Sequence, residues 1–116
     1  MEIRRGDIFL VNLDPVIGSE QGKTRPAVVI QNDIGNRYSP VTIVAAMTSR
    51  IFEKEFPTNV FVPKEESGLS EDSTILLNQI RTVDTKRLVR KIGRLSRKKM
   101  KEVDEAIKIS LGIIEP

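Results

Sequence analysis

The chain has 116 residues, 39% of them hydrophobic and 30% charged, with a net charge of +3. That composition fits one soluble globular domain spanning 1–116, its core built from Ile, Val and Leu because there are four Phe, one Tyr and no Trp. Cysteine and histidine are both absent, which excludes disulfides, thiolate or imidazole metal sites and histidine-dependent triads.

Any catalysis therefore falls to Glu, Asp, Arg, Lys, Ser, Thr or Tyr. No carboxylate cluster stands at metal-ligand spacing, so the expectation is no metal and no cofactor. Met1-Glu2-Ile3-Arg4-Arg5 has no apolar core of the secretory kind behind it, and no apolar run is long enough to span a bilayer. A cytoplasmic protein with no membrane partner is expected.

In chain order, Arg5-Gly6-Asp7 matches a cell-adhesion tripeptide but reads as a turn leading into a strand. Ile8 to Leu13 is rich in β-formers and ends at Asp14-Pro15, which predicts the first strand. The connection from Asp14 to Thr24 is longer than a hairpin needs, and loops of that length are commonly functional. Its core, Gly18-Ser19-Glu20-Gln21-Gly22-Lys23-Thr24, approaches the phosphate-cradling pattern G-x-x-x-x-G-K-[ST] with one residue missing between the glycines. Such a loop must open a helix whose N-terminus faces the phosphates. Here Arg25-Pro26 and the β-rich Ala27 to Gln31 follow instead. A nucleotide site is rejected; a dense set of phosphate-friendly groups remains.

Asn32 to Asn36 carries turn chemistry, and Val41 to Thr48 predicts a third strand with apolar residues on both faces. Ser49 to Pro57 is a second long loop, followed by a short strand at Asn59 to Val62. The acidic connection Lys64 to Asp72 contains the turn signal Ser67-Gly68. Ser73 to Val83 and Leu88 to Leu95 read as further strands. Ser96 is a plausible N-cap for a terminal helix in which Met100, Val103, Ile107 and Leu111 form one apolar stripe, with Gly112 ending it. Many short strands, one amphipathic C-terminal helix and no βαβ alternation predict a mainly β, α+β fold, a small antiparallel barrel. Between Lys86 and Lys101 every charged residue is basic, which points to an anionic partner or to a solvated basic face.

Read together, Arg5-Gly6-Asp7-Ile8, Leu13-Asp14-Pro15, Gly18 to Gln21, Arg25 to Ile30, Gln31-Asn32-Asp33, Ala46-Met47-Thr48 and Gln79 to Asp84 resemble the MazF/PemK toxin family, closest to its MazF-type branch from Gram-positive bacteria. The resemblance runs over nearly the whole chain in the right order. It implies an SH3-like barrel with a C-terminal helix, assembled as a homodimer. It implies the toxin of a type II toxin–antitoxin system: a ribosome-independent, sequence-specific endoribonuclease (an mRNA interferase). Such enzymes cut single-stranded mRNA without metal, leaving 2′,3′-cyclic phosphate and 5′-hydroxyl ends. It also implies a cognate antitoxin whose acidic C-terminal segment covers the RNA groove.

The resemblance matches Arg25 to the family's catalytic arginine, whose planar fork suits non-bridging phosphate oxygens. Thr48 matches its catalytic threonine, a hydroxyl able to donate to the phosphate or the leaving oxygen. Glu20 matches a glutamate implicated in some members, either accepting the 2′-hydroxyl proton or orienting Arg25. Ser19, Gln21, Gln79 and Arg81 occupy motif positions close to the RNA groove, with bracing of the opening loop as the alternative for Gln79 and Arg81. Asn78 stands where several relatives carry an acid, and Leu76 where one branch has a cleavage arginine. Their absence counts against schemes that use that strand for acid–base work. The runner-up function is a non-catalytic toxin of the same fold that binds DNA gyrase, but those relatives lack the Arg25-Pro26 and Thr48 context.

Overall fold

The computed structural model describes residues 1–116. Its strands are β1 (Asp7–Asn12), β2 (Thr24–Val29), β3 (Val41–Thr48), β4 (Asn59–Val62), β5 (Ser73–Asp84) and β6 (Leu88–Arg94). Its helices are α1 (Asp33–Tyr38), α2 (Lys64–Ser67) and α3 (Arg97–Ser110), with a 3-10 turn at Thr85–Arg87. Neighbouring strands are all antiparallel, in the order β4-β5-β3-β2-β1-β6.

Alternate side chains of the central strands feed two cores. Ile8, Val28, Ala45, Met47 and Leu77 lie in one, beneath α3, while Phe9, Val11, Ala27, Val29 and Val44 lie in the other. This is why the central strands are apolar throughout rather than alternating with polar residues. The sheet also wraps: Ile8 of β1 shares a core with Val60 and Val62 of β4, although three strands separate them. Register shifts in β3–β5 between Ala45 and Met47, and at two points in β1–β6, supply the bends.

The mainly β, α+β class holds, but the barrel is not closed by hydrogen bonds, because β4 and β6 are the two edges of the sheet. Helix α2 stands against β6 instead. A Cβ at Gly93 would lie 2.3 Å from the carbonyl oxygen of Ser67, so only glycine permits this approach of α2 to β6.

The terminal helix starts where Ser96 accepts a hydrogen bond from Lys99 N at 3.1 Å. Val103 and Ala106 are buried and Met100 and Ile107 pack beside them, whereas Leu111 lies past the helix end and is exposed. Gly112, at φ +74, ends the helix as expected. The Ser110 hydroxyl donates to Leu77 O at 2.6 Å and pins that end to β5.

Two short helices replace expected turns. Asn32 accepts from Gly35 N at 2.8 Å and caps α1, so the turn-forming residues start a helix instead. Helix α2 is stopped by Gly68 in the left-handed region, at φ +80. The Arg5-Gly6-Asp7 turn does lead into β1. Asp7 is fully buried and accepts from Arg4 N at 2.9 Å, with Lys91 Nζ at 3.1 Å and Arg94 Nη1 at 3.5 Å. Part of the basic run therefore neutralises an internal carboxylate.

Candidate functional site

The site is built by strand register. Ala27 faces Ala46 across the β2–β3 ladder, and Val28 faces Ala45. Past the Ala27–Ala46 pair the ladder ends, and the two free strand ends carry Arg25 and Thr48. Both residues line an open groove of about 290 Å³, with Lys23, Ser49 and Glu71. Arg25 Nε donates to Gly22 O at 2.8 Å, which fixes the guanidinium plane and leaves both terminal nitrogens available to a ligand. Thr48 Oγ1 accepts from Arg50 N at 3.2 Å, so the hydroxyl proton remains free to be donated.

The loop between β1 and β2 is held at its base by a dense set of bonds. Leu13 N donates to Lys23 O at 2.8 Å, and Asp14 Oδ1 accepts from Lys23 N at 2.7 Å. Arg87 reaches the carbonyl oxygens of Asn12, at 3.1 Å, and of Asp14. Arg81 donates to Leu13 O. Gln79 Oε1 accepts from Gln21 N at 3.3 Å. Gln79 and Arg81 thus brace the opening loop, and the structure supplies the physical contacts for that alternative. Gly22 is confined as well, since a Cβ there would lie 2.6 Å from Val16 Cγ2 and 2.9 Å from Asp14 Oδ1.

Glu20 does not join Arg25 and Thr48 in their groove. Its Oε1 accepts from Ile17 N at 2.6 Å, closing a turn inside the loop. It lines a neighbouring cavity of about 440 Å³ together with Gln21, Gln79 and Arg81. No ion pair joins Glu20 to Arg25; the backbone of Gly22 orients the arginine instead. Ser19 is exposed at the loop tip. Sequence reasoning missed Glu71, which reaches the groove only because the α2–β5 connection folds back beside β3. It also missed the bracing by Asp14 and Arg87, for which the sequence carries no signal beyond charge.

Residues 4–111 match the family model of the PemK-like, MazF-like toxins of type II toxin–antitoxin systems. Among solved structures, MazF from Deinococcus radiodurans superposes with a TM-score of 0.82 at 25% identity, covering 97% of this chain and 98% of the other. An endoribonuclease from a mycobacterial species gives 0.80 at 18% identity, over 100% and 97% of the two chains. A mycobacterial endoribonuclease in complex with its cognate antitoxin gives 0.76 at 19%, over 98% and 99%. The family match over residues 4–111, on a fold that carries Arg25 and Thr48 into one groove, settles the assignment: the chain belongs to the PemK-like, MazF-like toxins of type II toxin–antitoxin systems.

Proposed function

We propose that this toxin is a sequence-specific, metal-independent endoribonuclease that cuts single-stranded RNA, such as mRNA, without the ribosome. The observation that carries this reading is that Arg25 and Thr48, from the ends of adjacent strands, line one open groove. Two solved relatives described as endoribonucleases support it.

Cleavage by the RNA's own 2′-hydroxyl forms the O2′–P bond as the P–O5′ bond breaks, giving a 2′,3′-cyclic phosphate and a 5′-hydroxyl. Charge accumulates on the non-bridging oxygens, where the terminal nitrogens of Arg25 supply a planar, charge-assisted pair of donors. The free hydroxyl proton of Thr48 serves the phosphate or the departing O5′. A carboxylate accepts the 2′-hydroxyl proton: Glu20 moving in from the loop, or Glu71 already in the groove. Ser19 and Gln21 on the loop, braced by Gln79 and Arg81, bind the RNA beside it. The working form is a homodimer, in line with the exposed Leu111, Ile113 and Ile114 at the helix end. Its regulator is a cognate antitoxin with an acidic C-terminal segment, a reading supported by the antitoxin complex of the mycobacterial relative.

The test is to incubate the purified protein with defined single-stranded RNA in excess chelator and to analyse the cut ends. Cyclic-phosphate and 5′-hydroxyl ends, lost in Arg25→Ala, are expected. Intact RNA, or cutting indifferent to Arg25→Ala, overturns the reading.

A further inference from the structure

We propose that Lys23 is a phosphate-binding residue at the rim of the groove, its Nζ holding the RNA phosphate next to the scissile one. The inference rests on the nuclease reading above and deepens it by naming a residue that the matching motif blocks skip.

Lys23 has φ 63, the only residue other than glycine in the left-handed region. A Cβ is crowded there, so glycine is the favoured occupant. Two backbone bonds hold the conformation. Lys23 N donates to Asp14 Oδ1 at 2.7 Å, and Lys23 O accepts from Leu13 N at 2.8 Å, which together close the loop base. The fold thus dictates the backbone at this position and leaves the side chain to be chosen on other grounds.

Packing is not one of them, because Lys23 is exposed and belongs to neither core cluster. Ion pairing is not one either, since no salt bridge in the chain includes it. A strained residue that gains nothing within its own fold marks a functional position.

The groove supplies the function. Lys23 lines it beside Arg25 and Thr48, with Glu71 as the one carboxylate, and neither cation is paired to that acid. Two unpaired cations along one groove repel each other until an anion lies between them. Arg25 is half-buried and aimed by Gly22 O, whereas Lys23 stands exposed at the rim. A fixed fork suits the reacting phosphate; a point charge on a flexible stem suits a neighbouring one whose orientation is free. Gly22-Lys23-Thr24, the end of the near-match to a phosphate-cradling loop, keeps its lysine for a phosphate although no helix follows.

The experiment compares the natural chain with Lys23→Gly, Lys23→Gln and Lys23→Arg on a defined single-stranded RNA over a range of salt. Lys23→Gly removes the ammonium and relieves the backbone. Its kcat/KM should fall roughly tenfold at about 50 mM salt, through KM and not kcat, while Tm holds or rises. One lost phosphate contact flattens the plot of log kcat/KM against log salt by about 0.7, so the deficit should shrink about threefold by about 200 mM. Lys23→Gln keeps the Cβ and should match Lys23→Gly, and Lys23→Arg keeps the charge and should recover most of the loss. A salt slope unchanged in Lys23→Gly and Lys23→Gln overturns the contact, as does a Tm that falls in Lys23→Gly. Independently of cutting, anisotropy with an uncleavable 2′-O-methyl RNA should show the same flattening of Kd against salt; equal slopes there also overturn the contact. Uncut RNA with the natural chain overturns the nuclease reading instead.

Discussion

Arg25 hangs from the carbonyl oxygen of Gly22, at 2.8 Å through Nε, rather than from any carboxylate. The loop backbone therefore aims the catalytic candidate, and Gly22 and Arg25 act as one device. Lysine at position 25 has neither the Nε to take that bond nor a fork to match two phosphate oxygens. Both Arg25→Lys and Arg25→Ala should lower single-turnover cleavage by a hundredfold or more, about 3 kcal/mol of transition-state stabilisation. Retention of most of the activity by the lysine variant would falsify the paired-donor role.

Gly22→Ala tests the same device from the other side. The added Cβ would press on Val16 Cγ2 and on Asp14 Oδ1, the atom that holds Lys23 N. The loop base must open, while neither Val16 nor Asp14 belongs to a core cluster. The expected outcome is a Tm lowered by about 4–8 °C, for a cost near 1 kcal/mol, with a larger proportional loss of cleavage. Calorimetry alongside a cleavage assay decides this; full activity in the variant would show that loop geometry is not limiting.

The strands were legible because β-branched runs and punctuating Pro and Gly state them locally, and Arg25 and Thr48 were legible through motif position. What escaped is long-range. Asn32-Asp33-Ile34-Gly35-Asn36 has the composition of a turn, and only the Asn32 cap on Gly35 N makes it the start of α1. Gln79 and Arg81 read equally well as RNA contacts or as braces until their partners, Gln21 N and Leu13 O, are known. Glu71 looked like one more acid in a solvated connection, because nothing local says that the segment returns to β3. The covering of β6 by α2 was equally hidden: nothing local to Gly93 says that it makes room for the backbone of Ser67.

The proton acceptor can be identified by substitution and pH together. Glu20 is engaged with Ile17 N at 2.6 Å, whereas Glu71 lines the groove that holds Arg25 and Thr48. The residue that accepts the proton should, when changed to Gln, cost 10²–10⁴-fold in rate and abolish the acidic limb of the pH–rate profile. A residue that only shapes the loop should lower the rate and leave that limb in place. Glu20→Gln and Glu71→Gln measured over the same pH range separate the roles; an acidic limb surviving in both variants excludes either as the base.

Asp7 should be a stability residue and not a functional one. Its buried carboxylate meets Arg4 N, Lys91 Nζ and Arg94 Nη1, and the two side-chain cations are about half exposed. Removing the charge leaves those cations able to hydrate, so Asp7→Asn should cost about 1–3 kcal/mol, below the cost of stranding a buried charge. Lys91→Met should cost less than about 1 kcal/mol. Urea unfolding of both variants checks the order, and a larger loss in Lys91→Met would contradict it.

Asp33 gives the chain a local acid sensitivity. The backbone N–H of Arg5, donating at 2.6 Å, is the main cause holding its carboxyl below the ordinary 3.8, with the Asn36 amide adding to it. The folded state thus binds this proton less readily than the unfolded chain. The contribution is fully present above about 3.8 and is lost as pH falls through the lower folded value. Because Asp33 is exposed, water and salt screen much of it, and Asp33→Asn should lower Tm by only about 1–3 °C at pH 7. That gap should close as the pH drops below 3.8. Thermal unfolding of the two proteins from pH 7 to pH 2 follows it; a gap that widened in acid would mean that the Arg5 N–H bond does not favour the charged form.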